Sequence, residues 1–302
     1  MKAEFENISR KSQKRLKKYV KNQLMETHDN VISDDGFVYA QGKFPVLLVA
    51  HLDTVHANLP TTIVHDGDKI SSPNGIGGDD RCGVYMILEI IKKYHCSVFF
   101  CEYEEIGCVG AEKFVKTDLA RELQGQFNYI IEFDRRNAND AVFYDCGNEE
   151  FEEFITKEHF VTADGIFSDI STIAPYLGCA AVNLSCGYYK AHTKDEYVVF
   201  PEMETNIKEA MKILARTTDE KFEYIEVEHS YYNYGYGGWY DYCGKEDGEG
   251  NYIILYVDYN YEEDIYETYA TSRAEAIGLF CMDNQYTCVA DIVDIYCEEV
   301  IL

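Results

Sequence analysis

Five short segments of this chain gather imidazole and carboxylate groups in a pattern suited to binding metal ions and splitting a bond with water. They are Ala50-His51-Leu52-Asp53-Thr54-Val55, Gly77-Gly78-Asp79-Asp80-Arg81-Cys82-Gly83, Glu102-Tyr103-Glu104-Glu105-Ile106-Gly107, Glu132-Phe133-Asp134, and Ala191-His192-Thr193-Lys194-Asp195-Glu196-Tyr197. Imidazole nitrogen and carboxylate oxygen are the donors a catalytic zinc favours, with one position left for water. Two ions about 3.5–4 Å apart need a carboxylate between them and donors on each side. Two histidines, two aspartates and a glutamate meet that demand, with a further carboxylate left for proton transfer. A lone His-x-Asp or an adjacent acidic pair carries little weight, because such pairs are common in acidic proteins. Five of them in this order, each placed near the end of an expected strand, form a specific signal.

The elements that must position these groups follow from hydrophobic patterning. Phe44–Ala50 (FPVLLVA), Ser97–Cys101, Phe127–Phe133 and Ala180–Leu184 are apolar runs bounded by turn residues, which suits strands buried on both faces. Val31–Ala40, around Asp34-Asp35-Gly36, and Thr61–Ser71, around Asp66-Gly67-Asp68, carry hairpin signals. Gly83–Tyr94, Gly110–Thr117 and Glu202–Thr217 have helical character. Strands alternating with helices predict an α/β fold: a mixed, mostly parallel sheet with helices on both faces. Ligands in such sheets collect at the carboxyl ends of the strands.

Residues 1–221 are expected to form this domain and 222–302 a small, acidic, Tyr-rich α+β appendage. In the latter, Tyr231–Tyr242 reads as a β segment packing on its neighbour rather than as an aromatic binding surface. Strands are expected at Tyr252–Tyr259 and Val289–Val300, and a helix at Ser272–Met282 with Ser272 as N-cap.

Composition narrows the partners. A formal charge of -27 argues against nucleic acid, whose phosphates would be repelled. The one basic cluster, Arg10 to Lys21, alternates with Ile8, Leu16, Val20 and Leu24 at helical spacing and reads as a helix with a solvated basic face. No run approaches the roughly 18 apolar residues of a membrane span. Neither does the polar N-terminus carry the apolar core of a secretory signal. The 11 cysteines are odd in number and form no CxxC pair; Cys82, Cys96, Cys101, Cys179 and Cys186 sit among apolar or small residues. Free buried thiols and a cytoplasmic location are expected.

Taken together, the five segments resemble the co-catalytic two-zinc peptidases, a group that includes tripeptidase, carboxypeptidase G, aminoacylase and the bacterial leucyl aminopeptidases. His51-Leu52-Asp53-Thr54-Val55 resembles the tripeptidase and aminoacylase version of the first motif. Gly78-Asp79-Asp80-Arg81-Cys82-Gly83 is similar to their Gly-Ala-Asp-Asp-Lys-Ala-Gly, and Glu104-Glu105-Ile106-Gly107 to their Glu-Glu-x-Gly. The likeness spans roughly residues 30–217. It implies that His51 and Asp134 hold one metal and Glu105 and His192 the other, with Asp79 bridging; Asp79 is preferred to Asp80 by its spacing to Gly83. Asp53 would orient His51, and Glu104 would act as general base. Two divalent ions are implied, zinc first and cobalt or manganese as alternatives, activating water against a terminal amide of a small peptide. An N-acyl amino acid is the alternative substrate, and a binding or regulatory protein on an inactive scaffold the alternative class. Oligomeric state is left open.

The chain also departs from this group. The stretches between Asp53 and Asp79, and between Asp134 and His192, are too short for the inserted domains of relatives, so a catalytic domain without a lid is expected. Arg135 and Arg136 stand where relatives carry small residues. Arg135 could clamp a substrate carboxylate, though ion pairing in an acidic protein is the commoner role. Asp169, in Gly165-Ile166-Phe167-Ser168-Asp169, could bind an amine or cap a helix beginning near Ile170. Cys108 reads as a packed thiol.

Overall fold

A computed structural model describes residues 2–165, 167–226, 250–257, 263–270, 275–277, 279–280 and 292–298. The chain divides into two compact units, Met1–Glu104 with Cys108–Ile225, and Glu226–Leu302 with Glu105–Gly107. The first unit begins α1 (Lys2–Ser9), α2 (Gln13–Thr27), β1 (Val31–Asp34), β2 (Phe37–Ala40), β3 (Phe44–His51), β4 (Val64–Asp66), β5 (Lys69–Ser71), α3 (Gly78–Ile90) and β6 (Cys96–Cys101). It continues α4 (Val109–Val115), α5 (Asp118–Leu123), β7 (Tyr129–Arg135), β8 (Asp140–Val142), α6 (Glu149–Thr156), β9 (Val161–Thr162) and α7 (Asp169–Leu177). It closes with β10 (Ala181–Ser185), β11 (Tyr188–Tyr189), β12 (Tyr197–Val199) and α8 (Phe200–Arg216).

The main sheet has the order β1-β2-β6-β3-β7-β10-β8-β9. Its centre, β6-β3-β7-β10, is parallel, with antiparallel pairing at β1-β2, β2-β6 and β10-β8. Side chains alternate across a strand, and here they alternate between two cores. Val46, Leu48 and Ala50 of β3 join α1, α2, α3, α6 and α8 on one face. Leu47 and Val49 join α4, α5 and α7 on the other. The expected mostly parallel α/β sheet with helices on both faces is what the chain forms. A second, antiparallel sheet, β11-β12-β5-β4, pairs residues distant in sequence.

Two helix boundaries differ from the pattern reading. The N-terminal helix is broken into α1 and α2, although Ile8, Leu16, Val20 and Leu24 are all buried as the spacing required. Ser9 turns its hydroxyl back onto the Phe5 carbonyl, and Ser12 takes an extended N-cap conformation (φ -64°, ψ 154°) that starts a new helix. Apolar periodicity cannot see such a joint. Helix α3 starts at Gly78, ahead of the expected Gly83, because Asp79 and Asp80 enter it in non-helical conformations. Cys82, Cys96, Cys101, Cys108, Cys146, Cys179 and Cys186 are free and buried. No described helix is long and apolar enough to cross a membrane.

The second unit holds an antiparallel sheet of β13 (Gly250–Val257), β14 (Glu263–Ala270) and β15 (Ile292–Glu298), in the order β14-β13-β15. Tyr231–Tyr242, Ser272 and much of the expected helix after it lie outside the described residues.

Where α2 meets the sheet, the buried His28 stacks on His95 with ring centroids 4.4 Å apart. His28 Nε2 donates to the Cys96 carbonyl (2.9 Å), and Nδ1 lies 2.8 Å from Thr27 Oγ1. His95 accepts from the Lys43 N–H at Nδ1 (2.9 Å) and donates from Nε2 to the Thr27 carbonyl (2.7 Å). Burial pushes the His28 imidazole below the ordinary histidine range, reinforced by His95 and only partly offset by the Cys96 carbonyl and Asp29. The unfolded chain therefore takes up this proton more readily than the folded one. The stability this site contributes is full above an ordinary histidine value of about 6.5 and is lost as pH falls below it. The melting temperature should accordingly drop between about pH 7 and 5, and His28→Gln should flatten that slope. Identical slopes in the two proteins would disprove the assignment.

Candidate metal centre

Parallel strands in one sheet end at one edge, and that edge collects the acidic segments. His51 is the last residue of β3, in register with Cys101 at the end of β6; Asp134 lies near the end of β7. Glu104 and Glu105 follow β6, Asp79 sits in the first turn of α3, and His192 lies between β11 and β12. Here they converge. Asp79 Oδ1 lies 2.9 Å from His51 Nε2 and Asp79 Oδ2 2.9 Å from His192 Nε2. Asp134 Oδ1 is 3.3 Å from His51 Nε2. Two groups thus have donor atoms within 4.8 Å of one another, His51–Asp79–Asp134 and Asp79–Glu105–His192, with Asp79 common to both. Asp53 Oδ1 faces His51 Nδ1 at 3.4 Å and accepts the Glu104 N–H at 3.2 Å, while Glu104 Oε2 stands 3.9 Å from His51 Nε2.

Local backbone geometry does much of this positioning. Asp79 and Asp80 are joined by a cis peptide. The Asp80 carboxylate accepts the N–H groups of His51 (3.1 Å) and Gly83 (2.8 Å), which leaves Asp79 to face the imidazoles. Gly83 permits α3 to lie directly on β7: a Cβ there would stand 1.8 Å from the Phe133 carbonyl oxygen. Tyr103 and Cys108, flanking the glutamate pair, and His192 itself adopt left-handed conformations (φ 66°, 53° and 62°). Such conformations are uncommon in non-glycine residues and cluster at functional sites.

Electrostatics test whether cations suit the pocket. Burial disfavours a charged His51, yet Asp134, Asp53 and Asp79 raise its pKa well above the ordinary value. Burial likewise opposes ionisation of Asp79, but hydrogen bonds from His192 and His51 hold it below the usual carboxylate range. Asp134 is pushed up to about 7, first by burial and then by the Asp79 charge. Glu132, buried behind it and accepting the Ser168 hydroxyl, is raised well above its ordinary value by burial and by Asp134 and Asp169. Carboxylates therefore crowd around two imidazoles, and nitrogen and oxygen donors of this kind fit divalent cations.

Several further residues hold the centre. Tyr188 donates its hydroxyl to the Asp134 carbonyl (2.9 Å), and Asn183 Oδ1 accepts the Asp134 N–H (2.9 Å). Arg81, 1% exposed, donates to the Leu52 and Asp53 carbonyls (2.8 and 2.9 Å). Glu196 accepts from Gly77, Asp79 and His56. Nothing in spacing or composition singles out Tyr188 or Asn183; Arg81 and Glu196 lie inside the motif segments but without a role legible there. Arg135 pairs with Asp140 (3.3 Å) and donates to the Asp164 carbonyl (3.1 Å). Helix α7 begins at Asp169 with Ser168 at the cap, so Asp169 does not cap it; Asp169 is buried beside the Cys101 and Cys108 thiols, and its carboxyl is raised to about 6 chiefly by burial. Cys108 donates to Glu104 Oε1 at 3.7 Å and is packed, as expected.

No protein-family model matches the chain, and no curated protein does. Among solved structures, aminopeptidase PepT from Bacillus cereus is similar at 14% identity, over 70% of this chain and 96% of that one, with a TM-score of 0.57. A tripeptidase from Staphylococcus aureus is similar at 14% identity, over 70% and 97%, with a TM-score of 0.55. An aminopeptidase from the archaeon Desulfurococcus kamchatkensis is similar at 14% identity, over 71% and 94%, with a TM-score of 0.54. The fold is thus one that aminopeptidases use.

A ligand that binds only the folded state stabilises it by mass action, by about 2.7 kcal/mol at 100 times its Kd. Zinc added to chelator-treated protein should raise the melting temperature by roughly 5–10 °C, given about 2–4 °C per kcal/mol for a domain of this size. Magnesium, which prefers oxygen donors, should do far less. An unchanged melting curve with zinc, cobalt and manganese would exclude the site as a metal centre.

Proposed function

We propose that this protein is a metal-dependent exopeptidase that removes a terminal residue from a short peptide. Two divalent cations would be held by His51, Asp79 and Asp134 and by Asp79, Glu105 and His192. The observation that carries the reading is the disposition of Asp79, whose two oxygens each lie 2.9 Å from a different imidazole. A carboxylate placed in this way is a natural bridge. Cations bound there, zinc by donor preference with cobalt or manganese as alternatives, would supply Lewis acidity and a water that ionises near neutral pH.

The chain's own groups have distinct tasks. Asp53 faces Nδ1 of His51 and thereby orients Nε2 toward Asp79 and Asp134. Glu104 belongs to neither donor group but reaches the same pocket. We assign it to take a proton from the attacking water and return it to the leaving amine. Arg135 is left out of the substrate contacts, because Asp140 and Asp164 already engage its guanidinium. Asp169 is left out because it is fully buried. Between Asp134 and His192 the chain forms β8, α6, β9, α7, β10 and β11, and we read the catalytic domain as having no lid inserted there. A peptide substrate is supported by the likeness in fold to proteins described as aminopeptidases and a tripeptidase.

Glu104→Gln should keep its bound metal and lose at least about 100-fold in kcat, the scale of general acid–base catalysis. Asp79→Asn should lose both metal and activity. A panel of dipeptides, tripeptides and N-acetyl amino acids with zinc, cobalt or manganese identifies the substrate. Activity confined to the N-acyl compounds would keep the machinery and replace the peptidase by an amidohydrolase. Protein that takes up no transition metal, with Glu104→Gln indistinguishable from wild type, would end the reading and leave a binding protein on a peptidase scaffold.

A further inference from the structure

We propose that Glu196, partnered by His56, is a positioning residue that joins three donor-bearing segments of the metal centre; the inference rests on the metal-hydrolase reading above. The Glu196 side chain is fully buried (0% exposed) and accepts three hydrogen bonds from this chain. Oε2 accepts the Gly77 N–H at 2.7 Å and His56 Nε2 at 2.8 Å, and Oε1 accepts the Asp79 N–H at 3.1 Å. An ionised carboxylate has about four acceptor positions. With three filled in this way, Glu196 is suited to holding backbone in place and not to ligating a cation or moving a proton.

The need for such an anchor lies in the entry to α3. First-turn N–H groups of a helix lack intrahelical partners, and a negative side chain near them is favourable. This entry is also irregular. Gly77 is left-handed (φ 67°), and Asp79 (φ -81°, ψ 104°) and Asp80 (φ -118°, ψ 47°) are not helical, so regular helix geometry does not set where Asp79 stands. Glu196 sets it from outside.

It does so from the segment that carries His192. The Glu196 N–H donates to the Thr193 carbonyl (3.1 Å) and the Thr193 N–H to the Lys190 carbonyl (3.3 Å), a compact turn around His192. The Gly75 N–H donates to the Lys194 carbonyl (3.1 Å), a second link between the same two segments. His56 brings in the third segment, the loop that follows His51 and Asp53. Its ring lies so close to Gly75 that a Cβ there would be 2.1 Å from it. One carboxylate thus gauges the separation of Asp79 and His192 and connects both to the stretch bearing His51.

The test is cobalt binding by full-length protein, after chelator treatment, in wild type, Glu196→Gln and His56→Gln. Affinity is read by competition with a chromogenic chelator and geometry by the visible absorption of the bound ion. Glu196→Gln should weaken at least one cobalt equivalent by roughly 10–100-fold, the usual effect of losing an outer-shell partner, and alter the absorption band. His56→Gln, which replaces the rigid imidazole donor by an amide on a more flexible side chain, should act in the same direction with a smaller effect. Wild type that takes up no cobalt would sink the metal-hydrolase reading and this inference with it. Wild type that binds cobalt, with both variants matching it in affinity and spectrum, would overturn the positioning role alone. Should Glu196→Gln fail to fold, His56→Gln decides by the same criterion.

Discussion

Mutual repulsion among buried carboxylates is the constraint around which this molecule is organised. Asp79, Asp80, Glu104, Glu105, Glu132 and Asp134 are buried or nearly so, gathered around the imidazoles of His51 and His192. Two like charges 4 Å apart repel by about 4 kcal/mol at an effective dielectric of 20. A flexible scaffold would relieve that by moving apart. This one is braced at each segment, and the bracing is mostly neutral: backbone N–H groups onto Asp80 and Glu196, a hydroxyl and an amide onto the stretch at Asp134. Arg81, a buried cation, adds charged donors to the Leu52 and Asp53 carbonyls.

The sheet makes the bracing effective. A strand buried on both faces cannot slip by one residue without exchanging its two sets of side chains between cores. Leu47 and Val49 belong to one core and Val46, Leu48 and Ala50 to the other, so the register of β3 is set twice. The position of His51 at its end is set with it. The loops beyond the strands then need only short, strained connections, which the left-handed Tyr103, Cys108 and His192 provide.

How much of this could be read from the chain follows from the range of each interaction. The central strands are continuous apolar runs because both faces are covered, and several of the acidic and imidazole residues that gather at the sheet edge follow them directly; both features are local and both are legible. The joint between α1 and α2 is not, since Ser9 and Ser12 act through hydrogen bonds while apolar spacing runs on across them. Pairing of β5 with β12 joins distant segments whose short lengths carry little pattern. The parts played by Tyr188, Asn183 and Glu196 are visible only once the segments meet, because each acts on a backbone group that no sequence motif names. The Arg135–Asp140 contact likewise depends on the turn from β7 into β8.

Gly83 shows how fine the tolerances are. Helix α3 carries Asp79 and strand β7 carries Asp134, and the two elements touch where residue 83 meets the Phe133 carbonyl. The thickness of that contact is the thickness of a hydrogen atom. Any side chain would act as a wedge, prising the helix off the strand and widening the gap between the two carboxylates it separates. The spacing of this acidic cluster is therefore written partly in an atom group that is missing, at a residue whose own side chain is a single hydrogen.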